Sequence, residues 1–182
     1  MSPFPALRDH LLAHAVRSGD FVLKSGRRSP WFVDVKQSTC RPEGMLLVAE
    51  AALEVLPDDA TAIGGLTMGA DAAAFAVAAV AATRGRMLHS FSVRKETKDH
   101  GGGGRLAGVL VPGDRAVITE DAVTRGVSML EAADVVRQLG ATPVLLLPVV
   151  SRGRSAAELA RGADIAYRPL VTAEELGAPE DD

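Results

Sequence analysis

Apolar positions along the chain change period several times, and the changes mark out its elements. Leu7, Leu11, Leu12, Ala15 and Val16 recur at helical spacing within residues 6–18, which predicts a helix stopped by Gly19. Phe21-Val22-Leu23-Lys24 and Trp31-Phe32-Val33-Asp34 read as strands, with Ser25 to Pro30 turning between them. Pro42 suits a helix's first turn, and Met45 to Leu56 supplies its apolar stripe. Ala60 to Ile63 is a short strand, residues 70–83 a helix, and Met87 to Val93 a strand with Met87, His89, Phe91 and Val93 on one side. His89 on that mostly apolar face reads as structural. Residues 115–119 form a further strand, and a helical pattern runs from Met129 to Leu139, closed by Gly140. Pro143 to Val150 is a continuous apolar run, the pattern of a strand buried on both faces. A short helix (Ala156 to Arg161), a last strand (Ile165 to Leu170), a capping box at Thr172–Glu175 and an acidic stretch Pro179–Asp182, expected to fray, complete the chain.

Strands alternating with helices predict an α/β fold, a doubly wound parallel sheet flanked by helices. In such sheets ligands sit outside the carboxyl ends of the strands. The loops at 64–71, 94–105, 120–128 and 151–154 should therefore gather at one edge.

The third of those loops carries the densest chemistry. Val117-Ile118-Thr119 runs into the paired carboxylates Glu120 and Asp121, then Ala122-Val123-Thr124-Arg125-Gly126-Val127-Ser128 leads into a helix. Unpaired amides at a helix N-terminus suit a phosphate. Thr124 and Ser128 add hydroxyl donors, and Gly126 permits close backbone approach or positive φ. Glu120 and Asp121 can accept hydrogen bonds from sugar hydroxyls or hold a hydrated cation. A plainer account is a capping box between Ser128 and Glu131, with the carboxylates on a solvated loop. Gly64-Gly65-Leu66-Thr67-Met68-Gly69 is a weak phosphate-loop signal, lacking both the P-loop and the dinucleotide pattern, and a tight strand–helix turn explains it equally well. Arg94-Lys95-Glu96-Thr97-Lys98-Asp99-His100 runs directly into four glycines, a cationic segment with little apolar content that could close over a charged substrate. Arg27 and Arg28 read as solvated turn charges, whereas Lys24 faces the turn from a strand end.

Composition narrows the class. The 182 residues suit one domain, and 47% apolar with 24% charged content is an ordinary globular balance. A net charge of −3 without a long basic run argues against nucleic acid as a partner. One cysteine, Cys40, excludes an internal disulfide and a multi-cysteine metal site. The alanine-rich stretch from Ala70 is interrupted by Asp71 and bounded by Arg84 and Arg86, so it predicts a buried helix and no membrane span. No signal pattern opens the sequence, and a cytoplasmic enzyme acting on a sugar phosphate is the expectation.

Four segments resemble the orotate phosphoribosyltransferase family of the type I phosphoribosyltransferase fold: Leu23 to Pro30, Gly64 to Asp71, Arg94 to Gly101 and Val117 to Ser128. The resemblance covers roughly residues 6–170 and implies a small hood over residues 1–40, a core over 41–170 and a tail over 171–182. It implies that Glu120 and Asp121 hydrogen-bond the ribose hydroxyls of phosphoribosyl pyrophosphate (PRPP), with Asp121 counted among the catalytic residues. Thr124, Arg125, Gly126, Val127 and Ser128 would cradle the 5′-phosphate, with Ala122 and Val123 also counted among the substrate-binding residues. Arg94, Lys95, Lys24 and the 64–69 loop would contact pyrophosphate. Lys98 and His100 would act catalytically from a loop (94–105) that closes on the other subunit of a homodimer. Arg152 would pair with the orotate carboxylate, and the backbone near Phe32 and Val33 would frame the pyrimidine. Mg²⁺ is the implied cofactor, held mainly through substrate and water with no dedicated protein ligands.

The sequence departs from the family at Arg125, Val127, Ser151 (usually Asp) and Met68 (Lys in some members). A positive φ at β-branched Val127 would be strained. Two other readings stay open: a sister phosphoribosyltransferase for another base, and a non-catalytic PRPP-binding regulator.

Overall fold

The computed structural model describes residues 2–22, 26, 28–97 and 104–181. Its first elements are α1 (Pro5–His14), β1 (Val16–Val22), β2 (Arg28–Val33) and the single turn α2 (Lys36–Thr39). Helix α1 starts on a proline whose fixed φ suits a first turn and buries Leu7 and Leu11. It stops at His14 because the next residues pair elsewhere: Val16 lies opposite Val33 in an antiparallel ladder. Val16 is thus a strand residue, and Gly19, expected as a helix stop, sits inside β1 near a register shift between Ser18 and Phe21.

The remainder runs α3 (Pro42–Leu53), β3 (Ala62–Leu66), α4 (Asp71–Thr83), β4 (His89–Val93), β5 (Leu106–Gly108), β6 (Arg115–Val123), α5 (Val127–Gln138), β7 (Thr142–Ser151), α6 (Ser155–Gly162), β8 (Ala166–Tyr167) and β9 (Val171–Thr172), with a 3₁₀ turn at Glu174–Leu176. The sheet order is β5-β4-β3-β6-β7-β8, and β9 also pairs with β7. All pairings are parallel except β4 with β5. This is the expected doubly wound sheet. Because strand side chains alternate, consecutive residues feed opposite cores. Val117, Leu145, Leu147 and Val149 face α3 and α4, in a cluster that also takes Leu11 of α1 and Trp31 and Val33 of β2. Ala116, Ile118 and Leu146 face Met129, Ala133 and Val136 of α5 and Ala160 of α6. Each fully buried Leu or Ile contributes about 1.5–3 kcal/mol, so both faces of the sheet are firmly covered.

Several boundaries differ from expectation, each for a reason of pairing. β3 continues through Gly64 and Gly65 to Leu66 because its backbone pairs with β4 along that whole length. A Cβ on Gly65 would lie 2.2 Å from the Thr119 carbonyl, so strand packing by itself requires a glycine here. β6 runs to Val123, paired with Ser151, and so carries Glu120 and Asp121 within the strand rather than after it. The strand expected over residues 165–170 resolves into β8 and β9, which hydrogen-bond to different parts of β7. β4 begins at His89, and Met87 before it is exposed. His89 is structural, as expected: its Nδ1 lies 3.1 Å from the buried Asp114 carboxylate.

Candidate active site

Strands β3, β4, β6 and β7 end at one edge, and the segments after them define the cleft. β6 supplies the carboxylate pair. Glu120 is buried, and its carboxyl faces Gly69, where a Cβ would sit 1.7 Å from Oε1. Only a glycine lets the 67–70 turn come this close. That turn is itself pinned, since Asp71 accepts hydrogen bonds from Thr67 Oγ1 and Ser92 Oγ, each 2.7 Å long. Met68 stands 71% exposed on it and offers no charge to a ligand.

Burial drives the Glu120 carboxyl up to about 7, and the neighbouring Asp121 charge adds to the effect, against a hydrogen bond from Ser128 that favours ionisation. Asp121 accepts from the Ala122 amide at 2.8 Å and forms an ion pair with Lys36. Partial burial works to lower the Lys36 ammonium, but the Asp121 hydrogen bond and charge outweigh it and hold the group above its ordinary range. The site therefore contains an acid that titrates near neutrality beside a salt-bridged one. Such a pair can accept from two sugar hydroxyls without placing two bare charges together.

After Val123 the chain turns into α5 through Thr124, Arg125 and Gly126. Gly126 caps the helix with φ +79, a left-handed conformation that glycine adopts without a Cβ penalty. A Cβ there would also press on Ala156, 3.1 Å away. Since Gly126 takes the positive φ, Val127 is an ordinary first helical residue and the strain expected there is absent. The capping box between Ser128 and Glu131 is also absent: α5 has no side-chain cap, Ser128 bonds to Glu120, and Glu131 pairs with Arg105. The amides at the start of α5 are thereby left to an anion, with the hydroxyls of Thr124 and Ser128 beside them. Arg125 and Val127 are exposed at the rim.

Strands β4 and β5 form the base of the 94–105 loop. The Arg94 amide donates to Arg105 O at 2.7 Å, Arg105 Nε returns a bond to Arg94 O at 2.7 Å, and Arg94 Nη1 donates to Leu106 O at 2.8 Å. Lys95 is exposed beyond this clasp. Lys98 and His100, and on the hood Lys24, lie outside the described residues. Phe32 is 38% exposed on β2, its ring 5.6 Å from that of Phe21.

Arg152 at the end of β7 is buried. Its amide donates to Val123 O at 2.8 Å, and its guanidinium lies 4.4 Å over the Trp31 ring. Arg152 Nε and Nη2 both donate to Asp181 Oδ2, the former at 2.8 Å. The acidic stretch expected to fray is thus docked through residue 181, because Arg152, Ser29 and Trp31 offer it partners. Ser151 is buried next to it and accepts from Tyr167 OH at 2.8 Å. A serine replaces the family's usual aspartate there, and among the described residues the carboxylate bonded to Arg152 is that of Asp181.

No protein-family model matches the chain. Individual relatives do. Orotate phosphoribosyltransferase of Streptomyces avermitilis is 40% identical over 174 residues, covering 94% of this chain and 96% of that protein. The chain belongs to the orotate phosphoribosyltransferase family. The Methanosarcina mazei member is 37% identical over 163 residues, covering 89% of this chain and 84% of that one. Among solved structures, Mycobacterium tuberculosis orotate phosphoribosyltransferase in complex with PRPP superposes with a TM-score of 0.80 at 30% identity, over 94% of this chain and 97% of that one. A phosphoribosyltransferase from Corynebacterium diphtheriae gives 0.84 at 32%, over 97% and 99%. Membership makes this chain a pentosyltransferase of pyrimidine biosynthesis.

The geometry adds roles that the motifs did not announce. Lys36 reaches Asp121 across 85 positions of sequence, a contact set only by how α2 lies against the end of β6. Asp71, which closes the Gly64–Asp71 segment and to which the sequence assigns no role of its own, anchors the 67–70 turn. A lone carboxylate at a helix's first turn was the available sign, since that position commonly binds nearby donors.

Proposed function

We propose that this cleft transfers phosphoribosyl from PRPP to the ring nitrogen of orotate, giving orotidine 5′-monophosphate and pyrophosphate. The observation that carries the reading is the juxtaposition of the Glu120–Asp121 pair with the uncapped start of α5, in a chain of this family. The amides of Val127 and Ser128 and the hydroxyls of Thr124 and Ser128 take the 5′-phosphate. The carboxylates take the ribose hydroxyls and orient the anomeric carbon. Binding PRPP brings hydroxyl donors to Asp121, and Lys36, released or shared, adds positive charge near the departing pyrophosphate. Arg94, Lys95 and Lys98 complete that cationic shell, with Lys24 from the hood. Arg152 donates to the orotate carboxylate while the backbone near Phe32 and Val33 frames the ring. No protein nucleophile is required: positioning and charge stabilisation lower the barrier. Closure of the 94–105 loop would exclude water.

The two carboxylates offer hard oxygen atoms of the kind Mg²⁺ prefers, and among the described residues no cluster of three or more ligating side chains forms a closed cage. Glu120 and Asp121 would hold the ion through its water shell, and the ion would supply charge neutralisation of pyrophosphate. The proposal includes a homodimer that shares the 94–105 loop between subunits, and a cytoplasmic location. Among the described residues no helix is long and apolar enough to cross a membrane.

The test is the fall in orotate ultraviolet absorbance with purified protein, PRPP and Mg²⁺. Loss that needs PRPP and stops with EDTA is the expected result. A flat trace with orotate, alongside turnover of another base, would sink the substrate assignment.

A further inference from the structure

The segment after the 3₁₀ turn is held by a set of contacts unlike those of a loose end. Trp31 Nε1 donates to Pro179 O at 3.1 Å, and the Asp181 amide donates to Arg152 O at 2.7 Å. Ser29 Oγ donates to Asp181 Oδ1 at 3.3 Å, Arg152 binds Asp181 Oδ2 through Nε and Nη2, and Arg154 pairs with Glu180 at 2.9 Å. The Arg152 and Asp181 side chains are only 8% and 7% exposed.

These partners describe a seat for a planar carboxylate: a guanidinium edge, a hydroxyl and an aromatic face beneath the cation. The Nε–Nη2 edge of arginine is suited to binding one carboxylate group. Asp181 already fills it. Arg152 is also the group assigned above to the acceptor's carboxylate, and one guanidinium edge cannot serve two carboxylates. With Asp181 in place, the buried Arg152 presents almost no surface to an incoming anion.

We propose that Asp181 is a resident surrogate for the acceptor's carboxylate, and that the segment Pro179–Asp181 must leave the Arg152 seat before orotate binds. The inference rests on the assignment of Arg152 to orotate. Two features make departure feasible. A buried ion pair gains little net stability because its Coulomb attraction is offset by desolvation, and the segment is held by a handful of polar bonds without an apolar plug of its own. Its contacts span β2 and β7, so release also loosens the hood from the sheet edge at the moment the acceptor enters. The apparent affinity for orotate then equals the intrinsic affinity scaled by the fraction of molecules with an open seat.

Two variants and one measurement on the unmodified protein test this. Asp181→Asn keeps the shape but weakens the hold on the guanidinium, and a stop after Ala178 removes the segment. Both are expected to lower KM for orotate by roughly tenfold, as an open fraction of about one tenth would require, and to leave KM for PRPP unchanged. In the unmodified protein, saturating orotidine 5′-monophosphate is expected to speed hydrogen exchange at the Asp181 amide, whereas a merely structural staple would stay protected or gain protection. An unchanged or raised orotate KM in both variants would overturn the proposal, as would slower exchange at that amide. Absence of orotate turnover in the unmodified protein would instead strike the assignment of function, so the two failures are distinguishable.

Discussion

Glu120 concentrates the chemistry of the site at the scale of one residue. It is buried, and its carboxyl is driven up to about 7 from an ordinary 4.5, first by burial and then by Asp121. A carboxyl raised in the folded state binds its proton more tightly there than in the unfolded chain, so folding is penalised once the medium removes it. The penalty is absent below pH 4.5, grows between 4.5 and 7, and is complete above 7. Its full size is roughly 3 kcal/mol, at about 1.4 kcal/mol for each unit. Glu120→Gln removes the titration while keeping the shape. The Tm of this variant relative to the unmodified protein should therefore rise by about 5–10 °C between pH 5 and pH 8, using 2–4 °C per kcal/mol for a chain of this size. A Tm difference that does not vary with pH would show that Glu120 does not titrate in this window. Lys36 completes the group: its ammonium, though partly buried, is held above its ordinary range by the Asp121 hydrogen bond and charge.

At the scale of elements, local pattern located most strands and helices, and pairing then moved their ends. Alternation and apolar runs placed β4, β6 and β7 within a few residues because each is buried on one or both faces. The ends of β3 and β6 were not legible, since Gly64-Gly65 and Glu120-Asp121 look like loop residues until a neighbouring strand supplies the ladder. The Ser128–Glu131 spacing was misleading for the same reason: a capping box is a local pattern, while Glu120 and Arg105 reach these side chains from distant segments. Close approach of Gly69 to Glu120 was likewise unreadable, and it yields a prediction. In Gly69→Ala the new Cβ would fall 1.7 Å from Oε1 and 3.0 Å from Asp121 Oδ1, so the carboxyl must swing away. A hydrogen bond to a charged group is worth about 1.5–3 kcal/mol, which corresponds to roughly 10–100-fold in affinity. KM for PRPP should rise within that range while the fold survives, because Gly69 has no positive φ and the clash is with side chains. Unaltered KM for PRPP would mean that Glu120 does not touch the ribose.

The whole molecule raises a question that no single element answers, namely where the cations of the 94–105 loop act. β4 and β5 form an antiparallel hairpin at one end of the sheet order, with the Arg94–Arg105 clasp at its base. The proposed phosphate seat lies two strands further in, on β6 and α5. If the loop serves its own cleft, Lys98 and Asp121 belong to the same chain, and each chain is a complete enzyme. If it serves the partner's, as the proposal holds, each cleft needs Asp121 from one chain and Lys98 from the other. Complementation separates these cases. Lys98→Ala and Asp121→Asn should each lose most of kcat alone. Mixed in equal amounts and allowed to exchange subunits, half of the dimers become hybrids with one intact cleft in two, so about a quarter of the unmodified rate should return. Loop and cleft acting within one chain would leave every hybrid cleft with one defect, and the mixture would be as inactive as its parts.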